Sequence, residues 1–130
     1  MIEKKSESVL PEFGFDVPIA YTILWERKLI NFNRGESGLM PWYYLDSEGV
    51  FDLTAKWPKA SRKTPLVCFA RRYDSDDLAC FDVESNQPKR IVVVHGWTPE
   101  GYDVVASCDD FWSWVKRVID DIAETSDLLS

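Results

Sequence analysis

The chain has 130 residues, of which 45% are hydrophobic and 14% are aromatic, including six tryptophans. This composition excludes an intrinsically disordered chain, and the length indicates one domain with its own core. The net charge of −7 disfavours non-specific binding to nucleic acid or to an anionic membrane. A basic protein is the natural electrostatic partner of such a chain, although acidity also serves solubility alone.

Residues 1–10 are polar and charged, and we expect them to form a flexible N-terminus without the apolar run of a signal peptide. Residues 11–130 are predicted to fold as a single domain. No stretch approaches the length of a membrane span, so the expected location is the cytoplasm. The three cysteines, Cys68, Cys80 and Cys108, include no C-x-x-C pair, and we expect them to be reduced core residues.

The first predicted element is a helix over residues 18–29 (PIAYTILWERKL). Its β-branched residues would also suit a strand, but Asp16 ahead of Pro18 is a helix-start pattern. Ile19 and Leu24 are expected on its apolar face. A second, short helix is predicted over residues 48–57, where Pro58 would end it.

Four segments carry the pattern of β-strands: residues 42–45, 66–69, 78–83 and 90–95. In residues 78–83 and 90–95 both sets of alternating side chains are largely apolar, so these strands are expected to be covered on both faces. The turn between them, residues 84–89, is short and contains Asn86 and Pro88. Short connections between neighbouring strands favour antiparallel pairing.

The last predicted element is an amphipathic helix that begins after Ser107 as its N-cap, with Asp110 three residues later. Six apolar residues recur at helical spacing and are predicted to form its core-facing side: Phe111, Trp114, Val115, Val118, Ile119 and Ile122. Trp112 lies beside this stripe, and Asp121 is expected on the opposite, polar side. Together these elements predict an α+β fold, in which an antiparallel β-sheet is flanked by an N-terminal helix and a C-terminal amphipathic helix.

The stretch ARRYDSDDLACFDV at residues 70–83 decides how the chain is interpreted chemically. A calcium loop would need a ligand where Leu78 stands and a glycine that the stretch lacks. We interpret the aspartates as an Asx-rich turn closing a hairpin, with arginines that balance their charge. The alternative is a metal-dependent hydrolase that uses Asp74, Asp76 and the single histidine, His95, around a divalent ion.

A second alternative concerns residues 56–72, which contain six basic residues and no acidic one. This segment could bind phosphate or nucleic acid, with Trp57 and Tyr73 stacking on bases. The favoured interpretation is a solvated loop whose neighbouring arginines pair with the aspartates of the turn.

The order of these pieces resembles the SUKH superfamily, the Smi/Knr-type proteins. The resemblance rests on PWYYL at residues 41–45, PLVCFARRYDSDDLACFDV at 65–83, RIVVVHGW at 90–97 and SCDDFWSWVKRVID at 107–120. It implies an α+β fold with an antiparallel sheet and flanking helices, and it implies no catalytic residues and no cofactor. Many bacterial members of that superfamily are thought to be immunity proteins, which bind and neutralise a toxin that is often a basic nuclease. An acidic chain suits such a partner, because complementary charge speeds association.

The sequence therefore predicts a non-enzymatic protein-binding module, an immunity protein whose partner is a basic toxin domain, with no catalytic, cofactor-binding or metal-binding residues. Exposed aromatic and arginine side chains are the usual anchors of interfaces. The candidate contact residues are Trp42, Tyr43, Arg71, Arg72, Asp74, Asp76, Trp97 and Tyr102.

Overall fold

The order of helices and strands was obtained from a computed structural model, which describes residues 10–32, 37–56, 64–98 and 101–129. The elements within these ranges are α1 (Ile19–Glu26), β1 (Trp42–Tyr44), β2 (Phe51–Asp52), α2 (Leu53–Lys56), β3 (Leu66–Arg72), β4 (Asp77–Glu84), β5 (Gln87–Thr98), β6 (Gly101–Cys108) and α3 (Phe111–Leu129). All but the last residue of the predicted flexible N-terminus, residues 1–10, lies outside the described residues.

The strands form one sheet in the order β1-β3-β4-β5-β6, with β2 also paired to β3. Every pairing between them is antiparallel. The predicted α+β fold with an antiparallel sheet is therefore confirmed. The hairpin between β4 and β5 is tighter than predicted, because Ser85 and Asn86 both adopt positive φ (52° and 62°), as in a type I′ turn.

The two faces of the sheet carry separate cores, which explains why β4 and β5 are apolar on both sides. On the first face, which we call the helix face, α1 and α3 cover an aromatic core in which Phe69 stacks on Phe81 with ring centroids 4.3 Å apart. The opposite face holds a smaller core that includes Cys68, Cys80 and Leu53 of α2. The prediction that the central strands are covered on both faces is confirmed.

The start of the closing helix differs from the prediction. Ser107 belongs to β6, a strand that was not predicted, and α3 begins at Phe111. The cap is Asp110, whose Oδ1 accepts a hydrogen bond from the backbone N–H of Ser113 at 2.8 Å. β6 was missed although Tyr102, Val104, Ala106 and Cys108 form an apolar alternation, because Ser107 was interpreted as the N-cap of the closing helix.

Three further predictions about the helices need correction. Ile19 and Ile119 were expected on core-facing sides, yet they are 75% and 52% exposed, and Tyr21 is buried in α1 instead. Asp121 was assigned to the polar side of α3, but it lies against the sheet. Of the helix predicted over residues 48–57, the described residues form only the four-residue α2, because the chain just before it pairs with β3 as β2. Residue 57 lies outside the described residues.

Two buried tyrosines provide a test of the core. The Tyr44 hydroxyl donates a hydrogen bond of 2.9 Å to the backbone carbonyl of Tyr21, whereas the hydroxyl of Tyr21 is buried without a partner among the described residues. Their rings stack with centroids 4.4 Å apart. We expect Tyr44→Phe to lower the free energy of unfolding by about 1 kcal/mol and Tyr21→Phe to leave it unchanged or raise it slightly. Urea denaturation measures both variants, and an equal loss in the two would contradict this assignment.

Candidate functional site

The turn between β3 and β4 is built on a paired arginine and aspartate. Arg72 Nε and Nη2 donate hydrogen bonds of 2.8 and 3.0 Å to the two carboxylate oxygens of Asp74. This contact raises the pKa of Arg72 and lowers the pKa of Asp74. The backbone N–H of Asp77 is held by Ser75 Oγ at 3.2 Å. The charged turn predicted for this stretch is therefore present, and its first aspartate is bound to an arginine.

Arg72 also connects this turn to the closing helix. Its Nη1 lies 3.5 Å from Oδ2 of Asp121 in α3. The same Asp121 oxygen accepts a hydrogen bond of 3.1 Å from the indole Nε1 of Trp42, which pairs with Arg72 across β1 and β3. Trp42 is 1% exposed and packs edge-to-face on Trp114. Trp42 was predicted as a contact residue, but it is a core residue that positions Asp121.

Arg71 and Asp76 lie on the opposite face of the sheet from Arg72, because neighbouring strand residues point to opposite sides. Arg71 Nη2 is 3.8 Å from Asp76 Oδ1, and their side chains are 40% and 53% exposed. Tyr43 on β1 pairs with Arg71 in the register and is half-buried. These three predicted contact residues remain at the surface and are brought together.

The single histidine pairs with an aspartate that the sequence reasoning did not choose. His95 Nδ1 lies 2.8 Å from Oδ1 of Asp77, directly across β4 and β5. This contact raises the pKa of His95, and Asp76 and Asp103 add to the effect through their charge. The hydrolase alternative required Asp74, Asp76 and His95 around one ion. Among the described residues, no three His, Cys, Asp or Glu side chains are arranged to hold a metal ion.

Two predicted contact residues remain, Tyr102 and Trp97, and only the side chain of the first is described. Tyr102 on β6 is half-buried against the core opposite the helix face. The backbone of Trp97 lies in β5, but its side chain falls outside the described residues, as do residues 57–63 of the predicted basic segment. The phosphate and nucleic-acid alternative therefore depends mainly on residues whose positions are not described.

These contacts gather one set of charged side chains at the end of the sheet where β3 stops and β4 starts. We call this set the acidic end, and it consists of Asp74, Asp76, Asp77, Asp103, Asp121, Arg71, Arg72 and His95. Sequence reasoning missed Asp77, Asp103 and Asp121. Asp77 could have been found from its place at the start of a predicted strand. Asp103 could be placed only once β6 was known, and Asp121 only once the rotation of α3 against the sheet was known.

Comparison with models of protein families, with characterised proteins and with solved structures finds none that matches this chain. Across the described residues, no helix combines the length and the apolar character needed to cross a membrane. The function must therefore be inferred from the acidic end itself and from the surfaces around it.

The two arginines of the acidic end should differ in their energetic coupling. Arg72 and Asp121 are 19% and 14% exposed, so their interaction is weakly screened. Double-mutant cycles with alanine are expected to give a coupling free energy of about 1 kcal/mol for Arg72 with Asp121. The coupling free energy of Arg71 with Asp76 should be near zero, because this pair is more exposed and its atoms are 3.8 Å apart. Chemical denaturation of the single and double variants measures both values. Equal couplings would contradict the role of Arg72 as the link to α3.

The titration of His95 tests its pairing with Asp77. We expect a pKa above the usual 6.5 in the native protein, and a fall towards 6.5 in Asp77→Asn. Because the folded-state pKa is raised, the pair stabilises the fold fully below pH 6.5, and this contribution is lost as the pH rises through the folded-state value. Proton NMR of the imidazole follows the titration. Asp74→Asn is the control, since its carboxylate is bound to Arg72, and an unchanged pKa in Asp77→Asn would refute the pairing.

Proposed function

We propose that this chain is a non-enzymatic protein-binding module whose partner is a basic protein, and that it acts as an immunity protein against a toxin domain. The observation that carries the proposal is the acidic end, where five carboxylates outnumber two guanidinium groups and one imidazole. Both arginines are within ion-pair distance of carboxylates of the same cluster. A surplus of negative charge is therefore presented to solvent at one end of the sheet, which favours a positively charged partner.

The surroundings of the acidic end supply the apolar part that an interface needs. Tyr73, which follows Arg72, is 48% exposed, and its backbone N–H is held by the carbonyl of Pro41 at 2.8 Å. An exposed tyrosine on a fixed backbone loses little conformational entropy on binding, which is why tyrosine is common at binding hot spots. Tyr43 and Arg71 extend the same surface onto the face of the sheet opposite the helices.

The pairing of the charged side chains supports a protein-binding function more than a metal-dependent hydrolase. The hydrolase alternative needs Asp74, Asp76 and His95 around one ion. Asp74 is instead bound to Arg72, Asp76 lies 3.8 Å from Arg71, and His95 is bound to Asp77, so the three side chains belong to three separate pairs. The resemblance to the SUKH superfamily supports the same conclusion, because the antiparallel sheet with flanking helices is the architecture that the resemblance implies.

The test begins with co-purification of the tagged protein with the product of the neighbouring gene, which for an immunity protein is expected to be a basic toxin. The double variant Asp76→Lys/Asp103→Lys should lower the association rate constant at low salt by at least tenfold, because it replaces two carboxylates of the acidic end. The dissociation rate should change less. Stopped-flow fluorescence at several salt concentrations separates the two rates.

The matched control is Glu84→Lys/Asp109→Lys, which makes the same total change of charge at two exposed positions, at the end of β4 and just after β6, away from the acidic end. This control variant should reduce the association rate much less than Asp76→Lys/Asp103→Lys. Equal effects of the two would mean that net charge alone drives association, and the acidic end would not be the binding surface. Thermal stabilisation by calcium, magnesium, manganese or zinc, lost in Asp74→Asn or Asp76→Asn, would instead favour metal-dependent chemistry.

A further inference from the structure

The sulfur atoms of Cys68 and Cys80 lie only 3.1 Å apart in the interior of the sheet. Both residues are fully buried, in the core on the face opposite α1 and α3. They are twelve residues apart in the chain and stand directly opposite each other in the antiparallel pairing of β3 and β4. All three cysteines are free and buried, as predicted, and the structure adds that two of them face each other.

The register of the sheet meets the geometric requirement for a disulfide. Residues opposite each other in an antiparallel pair have Cα atoms about 4.5 or 5.5 Å apart, depending on the type of pair. Both values fall within the range of about 4.4–6.8 Å that disulfides occupy. The sulfurs must approach by about 1 Å to reach a bond of about 2.05 Å, which side-chain torsions supply without a change of register.

We propose that Cys68 and Cys80 are a redox pair that interconverts between a dithiol and a cross-strand disulfide. The oxidant is a low-molecular-weight disulfide such as oxidised glutathione. One cysteine thiolate attacks a sulfur of the oxidant, which releases one glutathione thiol and leaves a mixed disulfide on the protein. The second cysteine then displaces the other glutathione. Two S–H bonds and one S–S bond are lost, one protein S–S bond forms, and the two electrons and two protons are taken up by two glutathione thiols.

Cys68 and Cys80 lie in the two strands, β3 and β4, whose connecting turn belongs to the acidic end. The new bond would join β3 and β4 below the turn that carries Asp74 and Asp76, and would close the loop that contains residues 70–77. Cross-linking a loop of this length stabilises a fold chiefly by restricting its unfolded state. Oxidation would therefore make the opening of this loop less favourable without altering the charges of the acidic end.

Cys108 provides an internal control. It pairs with Ile91 in the register and belongs to the core on the helix face, so its side chain faces away from Cys68 and Cys80. The strand β5 also separates it from Cys80. Burial raises the pKa of Cys108. Cys68 and Cys80 are buried more completely still, so what distinguishes them from Cys108 is that their sulfur atoms face each other.

The experiment equilibrates the native protein in glutathione buffers from fully reduced to fully oxidised, quenches with acid, and counts free thiols by alkylation and intact mass. We expect three free thiols in the reduced protein and one in the oxidised protein, with peptide mapping that joins Cys68 to Cys80. Cys108→Ala should retain the same bond, and Cys80→Ala should form none. The wild-type peptide map is decisive even if a variant fails to fold.

The oxidised protein should melt roughly 5–10 °C higher than the reduced protein, and amide hydrogens in residues 70–77 should exchange more slowly. Three free thiols throughout the glutathione series, including after incubation a few degrees below Tm where local opening exposes buried thiols, would overturn the proposal. So would a bond that involves Cys108, a persistent glutathione adduct on Cys68 or Cys80, or a lower Tm after oxidation, which would mean that the bond distorts the sheet.

Discussion

The structure depends on the burial of β3 and β4 on both faces at once. Phe69 and Phe81 stack on the helix face, and Cys68 and Cys80 meet on the other, so almost every side chain in the middle of these strands is removed from water. Polar groups are costly in such a place unless they are paired. Most charged residues of β3 and β4 therefore lie at the ends of the strands, whereas Asp82, which is buried within β4, accepts a hydrogen bond of 2.6 Å from Thr64 Oγ1. The same constraint favours a cluster of charges where β3 turns into β4.

Arg72 is the residue that joins this turn to the rest of the domain. It binds Asp74 within the turn and approaches Asp121 on α3, whose carboxylate also accepts the indole N–H of buried Trp42. A single guanidinium group can do this because it carries several donors in a fixed plane. The geometry of the acidic end is therefore set by the packing of α3 on the sheet as well as by the turn between β3 and β4.

The same arrangement separates the two kinds of chemistry that the chain carries. At the surface, carboxylates paired with Arg71, Arg72 and His95 leave an excess of negative charge that favours docking with a basic partner. In the interior, two thiols in register form a site for reversible bond formation that requires no metal or cofactor. The first would govern which partner is bound, and the second would govern how readily the loop that carries part of the acidic end opens.

Several features could be predicted from the sequence because they depend on local patterns. The apolar runs in β4 and β5, the aromatic strand near Trp42 and the 3.6-residue period of α3 each repeat over enough residues to specify an element. The charged turn was also predictable, since aspartates between two apolar strands are typical turn residues. These patterns were sufficient for the α+β fold and for the region of the site.

The tertiary structure alone decided which charged residues meet. The pairing of β6 with β5 brings Asp103 beside His95. The rotation of α3 turns Asp121 towards Trp42 and exposes Ile119, and the register of β3 against β4 sets Cys68 opposite Cys80. Local sequence specifies the period of an element, whereas its rotation and register are set by side chains distant in the chain that compete for the same buried space.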